Sequence, residues 1–422
     1  MDETGQDEAG FGGGWGRLWR RWKRIERWAL VILAVVICAC LLRQHWRLTR
    51  IRAQTGIPAV AEDPENRAAH YLAAAWTLVP PRDRGYDNVR VNGERVEQPA
   101  GMPAKEELVK ALDERAVEGV AWDESLGWVD PFIDGNSRTL EILRTAAAQP
   151  ACDMPMLFGE AGPLRTPRFR TYEAISHTAL LVNCAARRSL WRGEQAEAVR
   201  LGVMAVQMGL DVGSDGPCPQ ASVGLYASGL GCQALALAIT SGPLDEEALV
   251  LIDEGARACD LPVPDPEEIA RRDRDFMLLH QTRGARGYIL CAFGLRGLLA
   301  RYSRMGYGLY ESSGELADAY RAAFEYGMFT EQDRLNASLR LLRVGVAVQR
   351  FARDKGRLPE TLADLVPACL DVVPEEPLGR GVLEAEAGEG TFRVYYQVVD
   401  ANGHEVYMRA LTFRADRLLA SG

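Results

Sequence analysis

Hydrophobic and polar positions alternate along most of this chain with helical spacing, but one stretch near the front breaks the pattern. Residues 28–42 (WALVILAVVICACLL) hold fifteen residues without a charge, bounded by Arg27 and Arg43. About 20 apolar residues are needed to cross the ~30 Å hydrocarbon layer of a bilayer. Arginines at both ends can snorkel, and Trp22, Trp28 and Trp46 suit the interface, so the usable span approaches that length. The pattern predicts a single transmembrane helix over 26–46, with Trp28, Leu30, Leu33, Val36, Leu41 and Leu42 as anchor residues. A core helix of the same length would not carry six basic residues on one side and four on the other. A cleaved signal peptide is disfavoured because no A-x-A site follows the run, and neither Cys38 nor Cys40 sits in a lipobox. Ahead of the anchor, residues 1–16 are acidic and Gly-rich with nothing to bury, so a disordered tail is expected over 1–25. Residues 44–62 read as a helical extension and linker, the linker falling on 47–62.

From 63 to 329 the apolar positions recur at helical spacing, interrupted by Gly and Pro clusters. The first helix runs through Ala68, Tyr71, Leu72, Ala75 and Trp76. A loop over 80–103 has room for a small hairpin around Val89 to Val96. Helices are expected over 105–118, from Asp134–Asn136 to Pro150, and over 170–191, 194–210, 219–239, 245–259, 267–282, 288–305 and 314–326. Short turns at Gly193, Gly213–Gly216 and Ser241–Gly242–Pro243 imply antiparallel neighbours, that is, stacked helical hairpins. Residues 183–202 look like one tetratricopeptide turn, with Leu190, Gly193 and Ala198 at the packing positions. Nothing recurs at the roughly 34-residue period of a true array.

Residues 330–422 change character. Thr330 and Asp333 form a capping box for an amphipathic helix with Leu335, Leu339, Leu342 and Val346 on one face. Gly356 and Pro359 stop it. Strands follow over 382–387, 391–399 and 405–413, and TFRVYYQVV places Phe392, Val394, Tyr396 and Val398 on one face. The fold class is mainly α, stacked helical hairpins, with a small C-terminal α+β module of one helix and a short antiparallel sheet.

Charge adds a direction. Residues 17–52 hold ten Lys/Arg against Glu26, and the first sixteen carry −4, so the rest of this −9 chain carries −14. A body this acidic offers no field to nucleic acid. Basic residues on the N side (Arg20, Arg21, Lys23, Arg24 and Arg27 with Arg17) outnumber those on the C side, which favours a cytoplasmic N-terminus and an exported body. Only four of the 49 basic residues are lysine, which reads as coding bias of a GC-rich genome. None of the nine cysteines forms a CxxC or zinc-like spacing. Cys184, Cys232 and Cys291 fall in apolar helical runs as buried thiols, and Cys152 with Cys218 is the pair to test for a disulfide.

The segment from the amphipathic helix onward resembles the globular half of type II secretion pseudopilins. Gly356, Arg357, Leu358 and Pro359 match the loop after their helix, and Glu376, Pro377, Leu378 and Gly379 match their D-P-[FW]-G turn. Residues 65–75 (ENRAAHYLAAA) and 136–153 (NSRTLEILRTAAAQPACD) extend a likeness to an uncharacterised family of membrane-anchored bacterial helical proteins ending in this module. Glu376 and Leu378 depart from the pseudopilin Asp and aromatic residue. No prepilin cleavage motif precedes the anchor, since Gly10–Phe11 is followed by glycines. The resemblance implies a cell-envelope context and no activity.

Chemistry is sparse. No P-loop, HExxH, GxSxG or EF-hand motif occurs, and there are only five histidines. Glu173 and His177, one helical turn apart, could share a metal if a third ligand joined them, but a helix-stabilising pair is the plainer reading. Glu267, Glu268, Arg271, Arg272, Asp273, Arg274 and Asp275 ahead of His280 read as an ion-paired helix face. Trp76, Trp122, Trp128 and Trp191 read as core. The leading expectation is a membrane-tethered helical scaffold or protein-interaction protein of the bacterial envelope. It would need no cofactor, and its partners would be the lipid bilayer and other envelope proteins. The alternatives are a membrane-bound enzyme of hydrolase type with a dispersed site, and a peptide- or glycan-binding module.

Overall fold

In the computed structural model the apolar run lies inside one long helix, α1 (Gly12–Ala53), of 42 residues. The structure describes residues 12–53, 63–78, 90–91, 94–95, 110, 124–155, 167–214, 216, 218–260, 268, 271–272, 275, 278, 328–375, 383–399 and 405–419. The helices expected over 105–118, 267–282, 288–305 and 314–326 fall outside these apart from isolated helical positions, as does the Glu376–Gly379 turn. Two compact units are distinguished: Met1–Gln54 with Met277–Glu311, and Thr55–Phe276 with Ser312–Gly422.

α1 corrects one expected boundary, since the tail is helical from Gly12, and the helical extension expected after the apolar run reaches Ala53. The reason is local: from Arg17 to Ala53 no Gly or Pro occurs, and Arg, Leu, Ile, Lys and Ala all sustain a helix.

In the second unit α2 (Arg67–Leu78) opens the body, followed by a two-stranded ribbon of β1 (Arg90–Val91) and β2 (Glu94–Arg95) in the loop where a hairpin is expected. A 3-10 turn over Glu124–Val129 leads into α3 (Asp130–Gly135) and α4 (Ser137–Ala147). Then come α5 (Pro167–Trp191), α6 (Gln195–Gly213), α7 (Cys218–Ser241) and α8 (Glu246–Cys259). Between α5 and α6 Gly193 takes a positive φ of 79°, Leu190 is half-buried and Ala198 is buried, as the tetratricopeptide-like turn requires. Asp245 caps α8 by accepting from the Ala248 N–H at 2.8 Å.

The closest helix pair is α6 with α7, and glycine makes it possible. A Cβ on Gly231 of α7 would lie 2.6 Å from the Val206 nitrogen and 2.7 Å from the Gly202 oxygen of α6. One on Gly224 would lie 2.7 Å from the Gly213 nitrogen. No side chain fits there, so the two backbones touch. α5 lies on this pair together with α2, which also packs on α4. That layer holds a core of Tyr71, Leu72, Phe132, Ile133, Leu143 and Ile175.

The opposite layer is built by the C-terminal segment. α9 (Met328–Lys355) packs on α7 and α8. It begins two residues ahead of the expected Thr330 cap and ends as expected at Gly356, whose φ is +66°. Strands β3 (Leu383–Gly388), β4 (Thr391–Val399) and β5 (Glu405–Arg414) form an antiparallel sheet in that order, followed by the short helix α10 (Ala415–Leu418). Phe392 pairs with Phe413 and Val394 with Leu411, and all four are buried. A Cβ on Gly345 would lie 2.9 Å from Ile239 and 3.0 Å from Leu411, so α9 sits hard against both α7 and the sheet.

The expected boundary at 329/330 is therefore not a break in packing. Buried Gln349 of α9 donates to the carbonyls of Ile239 (2.7 Å) and Gly242 (2.8 Å) at the end of α7, and its Oε1 accepts from the Leu244 N–H at 3.2 Å. Helix ends leave such groups unpaired, and here another helix satisfies them. Beside it runs a ladder of ion pairs. Glu246 meets Arg350 and Arg353 (both 2.7 Å), Asp253 meets Arg343 (3.3 Å), and Asp260 holds Arg340 through two nitrogens at 2.9 and 3.2 Å. Burial opposes it, yet hydrogen bonds from Arg350 and Arg353 hold Glu246 below its ordinary range. Each exposed pair contributes little, below about 1 kcal/mol, so the ladder aligns α8 and α9 more than it stabilises them.

Two outcomes follow for the full chain unfolded by urea. Gly224→Val should destabilise it by about 3 kcal/mol, while Gly229→Ala on the same helix, where a Cβ meets nothing within 4 Å, should be neutral or stabilising by about 0.5–1 kcal/mol. Equal losses from both would show that close approach is not the constraint. Gln349→Leu should cost about 3 kcal/mol by stranding buried polar groups; unchanged stability would remove its bridging role.

Candidate functional site

Two features of the described residues bear on function: the surface of α1 and a polar joint at the start of the body.

Along α1, Trp28, Leu30, Leu33, Val36 and Leu42 are each at least 50% exposed, and Leu41 is half-buried. Arg21, Lys23, Arg24 and Arg27 are exposed on the same stretch, with Lys23 3.6 Å from Glu26; the Arg20 side chain lies outside the described residues. Over 31 residues, Arg21–Ile51, the helix reaches a mean hydropathy of 2.4, and none of its most apolar window is buried. The helix is long and apolar enough to span a membrane. Apolar patches larger than a few hundred Å² are rare on water-facing surfaces. Within α7, Gln220–Ser241 also reaches a hydropathy of 1.4, but 56% of that window is buried, as befits the central helix of the body. Past the apolar run α1 is no longer bare: Gln44, Leu48 and Ile51, spaced along one face, are buried.

The residues singled out for chemistry do not converge. Glu173 and His177 both lie on α5; His177 is buried, and the Glu173 side chain is outside the described residues. Among the described residues no group of three His, Cys, Asp or Glu is placed to hold a metal ion. Of the charged helix face, Glu268 pairs with Arg271 at 2.5 Å and Arg272 at 3.2 Å, and Arg271 lies 3.6 Å from Asp275. Hydrogen bonds from Arg271, the largest influence, hold Glu268 below its ordinary range. Arg272 also donates to the Ser214 carbonyl at 2.6 Å, so this face is docked on the end of α6 and is not wholly solvated.

The tryptophans need a correction. Trp76 is half-buried, but Trp128 is 42% and Trp191 52% exposed, so these two are not core residues. Each sits at an element end, where the helical pattern that marks a buried face no longer applies. Cys184 and Cys232 are buried as expected, and burial pushes both thiols up to about 12. Cys152 is a free thiol, while the Cys218 side chain and Cys291 are outside the described residues.

The polar joint has no signature in the sequence. Asp211, near the end of α6, accepts from Arg67 Nε (2.8 Å) and Nη2 (3.3 Å), Tyr71 Oη (3.0 Å) and Gln207 Nε2 (2.9 Å). Arg67 also donates to the Gln149 carbonyl at 3.0 Å. Next to it, Asn66 donates to Asp63 (3.0 Å) while its Oδ1 accepts from the Ala68 and Asp153 nitrogens (3.0 Å each). The Arg67 N–H donates to the Ala151 carbonyl at 2.9 Å. Residues 63–67 and 149–153 are thus laced together.

The electrostatics of this joint argue against catalysis. Burial and then the Asp211 charge push the Tyr71 phenol far above its ordinary range. The same two causes push the Cys152 thiol up to about 12. Burial alone would lower Arg67, but Asp211 outweighs it and holds the guanidinium above its ordinary value. A carboxylate offers about four acceptor directions, and Asp211 has all of them filled, leaving none for a substrate or an attacking water. The arrangement is a structural clamp. Local sequence could not show it, because the ion pair joins positions 144 residues apart.

Comparison with known protein families, with characterised proteins and with solved structures finds no match to this chain.

If the joint is structural, Asp211→Asn should cost about 3 kcal/mol by leaving the Arg67 charge uncompensated, and Tyr71→Phe about 1–2 kcal/mol. Urea unfolding of both variants checks this, and full stability in Asp211→Asn would show the pair to be dispensable.

Proposed function

We propose that the chain is a membrane-tethered helical scaffold, or protein-interaction protein, of the bacterial cell envelope, held by α1 in the bilayer. The observation that carries this is the bare apolar surface of α1 between Arg21 and Leu42, with charged residues crowded at its N-terminal end. In water that surface is unfavourable by about 25 cal/mol for each Å² of apolar area, whereas in lipid it is solvated. The intrahelical hydrogen bonds of α1 meet the requirement that no backbone polar group faces hydrocarbon unpaired.

The body supports a scaffold more than an enzyme. The polar clusters at Asp211 and Gln349 are clamps whose hydrogen bonds are made within the protein, and the thiols of Cys152, Cys184, Cys232 and Cys259 are raised above the range where they attack. The order of amphipathic helix, Gly-stopped loop, short helical turn and antiparallel sheet in the C-terminal segment agrees with the pseudopilin-like resemblance and with an envelope setting. The six basic residues ahead of the apolar run against four after it favour a cytoplasmic N-terminus and an exported body. Other envelope proteins are then the natural partners of the body.

Membranes from cells expressing the full chain should retain it through alkaline carbonate washing, and Leu33→Arg with Val36→Arg should shift it to the soluble fraction, since each charge at the centre costs about 2.5–3.5 kcal/mol. Release of the unaltered chain by carbonate would end the membrane reading. Protease added outside should digest the body and spare an N-terminal tag; the reverse pattern would invert the topology.

A further inference from the structure

The apolar face of α1 does not begin with the uncharged run. Trp22, Ile25, Ala29, Ile32, Val36 and Ala39 follow one another at alternating steps of three and four residues, and each of them is exposed. That spacing sets them on one stripe of the helix, the a and d seam of a heptad repeat. Carried back along the sequence, the same steps fall on Trp15 and Leu18; carried forward, they meet Arg43, where the seam ends. Inside the uncharged run every position is apolar and the spacing decides nothing. Ahead of it the spacing is selective: between positions 17 and 27, every residue off the stripe is basic except Trp19 and Glu26.

α1 is too long for the bilayer to cover this stripe. Its 42 residues extend roughly 63 Å at 1.5 Å per residue, about twice the ~30 Å hydrocarbon layer. With 28–42 in lipid, position 22 stands roughly 9 Å and position 18 roughly 15 Å beyond Trp28, past the ~5–8 Å of a headgroup layer. A helix folded down onto the membrane would return the stripe to lipid. No Gly or Pro between Arg17 and Ala53 supplies such a kink, however, and Glu26, beside the stripe, would be pressed towards hydrocarbon with it.

A second copy of the helix covers the stripe without a bend and accounts for Glu26. Arg21 and Glu26 flank the stripe on opposite sides, five residues apart, at the g and e positions of the heptad. In a parallel pair these are the positions that meet across the seam, and here they carry opposite charges. Glu26 Oε2 lies 3.6 Å from Lys23 of its own helix, so Oε1 is the atom directed to Arg21 of the second copy.

We infer that two copies of the chain pair in parallel along this stripe, with Arg21 of each meeting Glu26 of the other. This rests on the membrane reading of α1. The anchored unit is then a dimer, held together at and beyond the N-terminal edge of the bilayer.

The test uses the full chain in vesicles of phosphatidylcholine and phosphatidylglycerol. Carbonate washing comes first, and release of the chain would remove the membrane reading and the pairing with it. Ile25→Cys on the stripe and Arg24→Cys off it are then oxidised with copper phenanthroline, the unaltered chain setting the background from its own thiols. A disulfide-linked dimer should form roughly tenfold faster from Ile25→Cys, because the bond tolerates only a narrow separation. In detergent, sedimentation of Glu26→Arg should show association weakened roughly tenfold, and adding Arg21→Glu should restore it. Equal oxidation rates at 24 and 25 in chains that resist carbonate would overturn the pairing and leave the anchor intact. Unchanged association in Glu26→Arg, or a loss that Arg21→Glu fails to restore, would overturn the parallel register. A monomer whose Ile25→Cys thiol is shielded from a water-soluble maleimide in bilayer nanodiscs would give the stripe to lipid and overturn the proposal.

Discussion

The body is organised by the contact between α6 and α7, whose backbones meet where Gly202, Gly209 and Gly213 face Gly224 and Gly231. Packed interiors have little spare volume, so a helix pair drawn this close fixes where every neighbouring surface lies. α5 can rest on both helices only at this separation, and α2 and α4 follow α5. On the far side α8 and α9 fill the opposite face of the same pair. Glycine is usually a liability inside a helix, costing about 0.5–1 kcal/mol against alanine. Here that cost is offset by close contact that no side chain would permit.

The second constraint is polar. Gln349 spans the end of α7 and the loop that follows, and Asp211 collects donors from two helices. Both groups are buried with their hydrogen-bonding capacity used inside the protein, which gives specificity of arrangement and leaves nothing available for chemistry. The exposed tryptophans Trp128 and Trp191 are the most evident departures from an ordinary polar exterior.

Much of the architecture was legible in the sequence, because helix and strand periodicity are local properties. The apolar run, the hairpin at Gly193, the stop at Gly356 and the strand around Phe392 all rest on neighbouring residues, and the structure places them where the pattern does. What failed depends on distance along the chain. The division at 329/330 followed a change in local character, yet Gln349 and the arginines of α9 tie that segment to groups 80 to 110 residues earlier. The Arg67–Asp211 clamp has the same origin. The helical start of α1 at Gly12 was missed because the acidic, Gly-rich composition ahead of the anchor reads as a tail with nothing to bury.

The reach of Gln349 has a bearing on how the molecule is made. Synthesis completes α7 about a hundred residues before the side chain that satisfies its final carbonyls, and segments finish folding only when their partners have emerged. Until then the face of α7 that receives α9 and the sheet remains uncovered. Truncation near the end of the chain would therefore be felt at its centre.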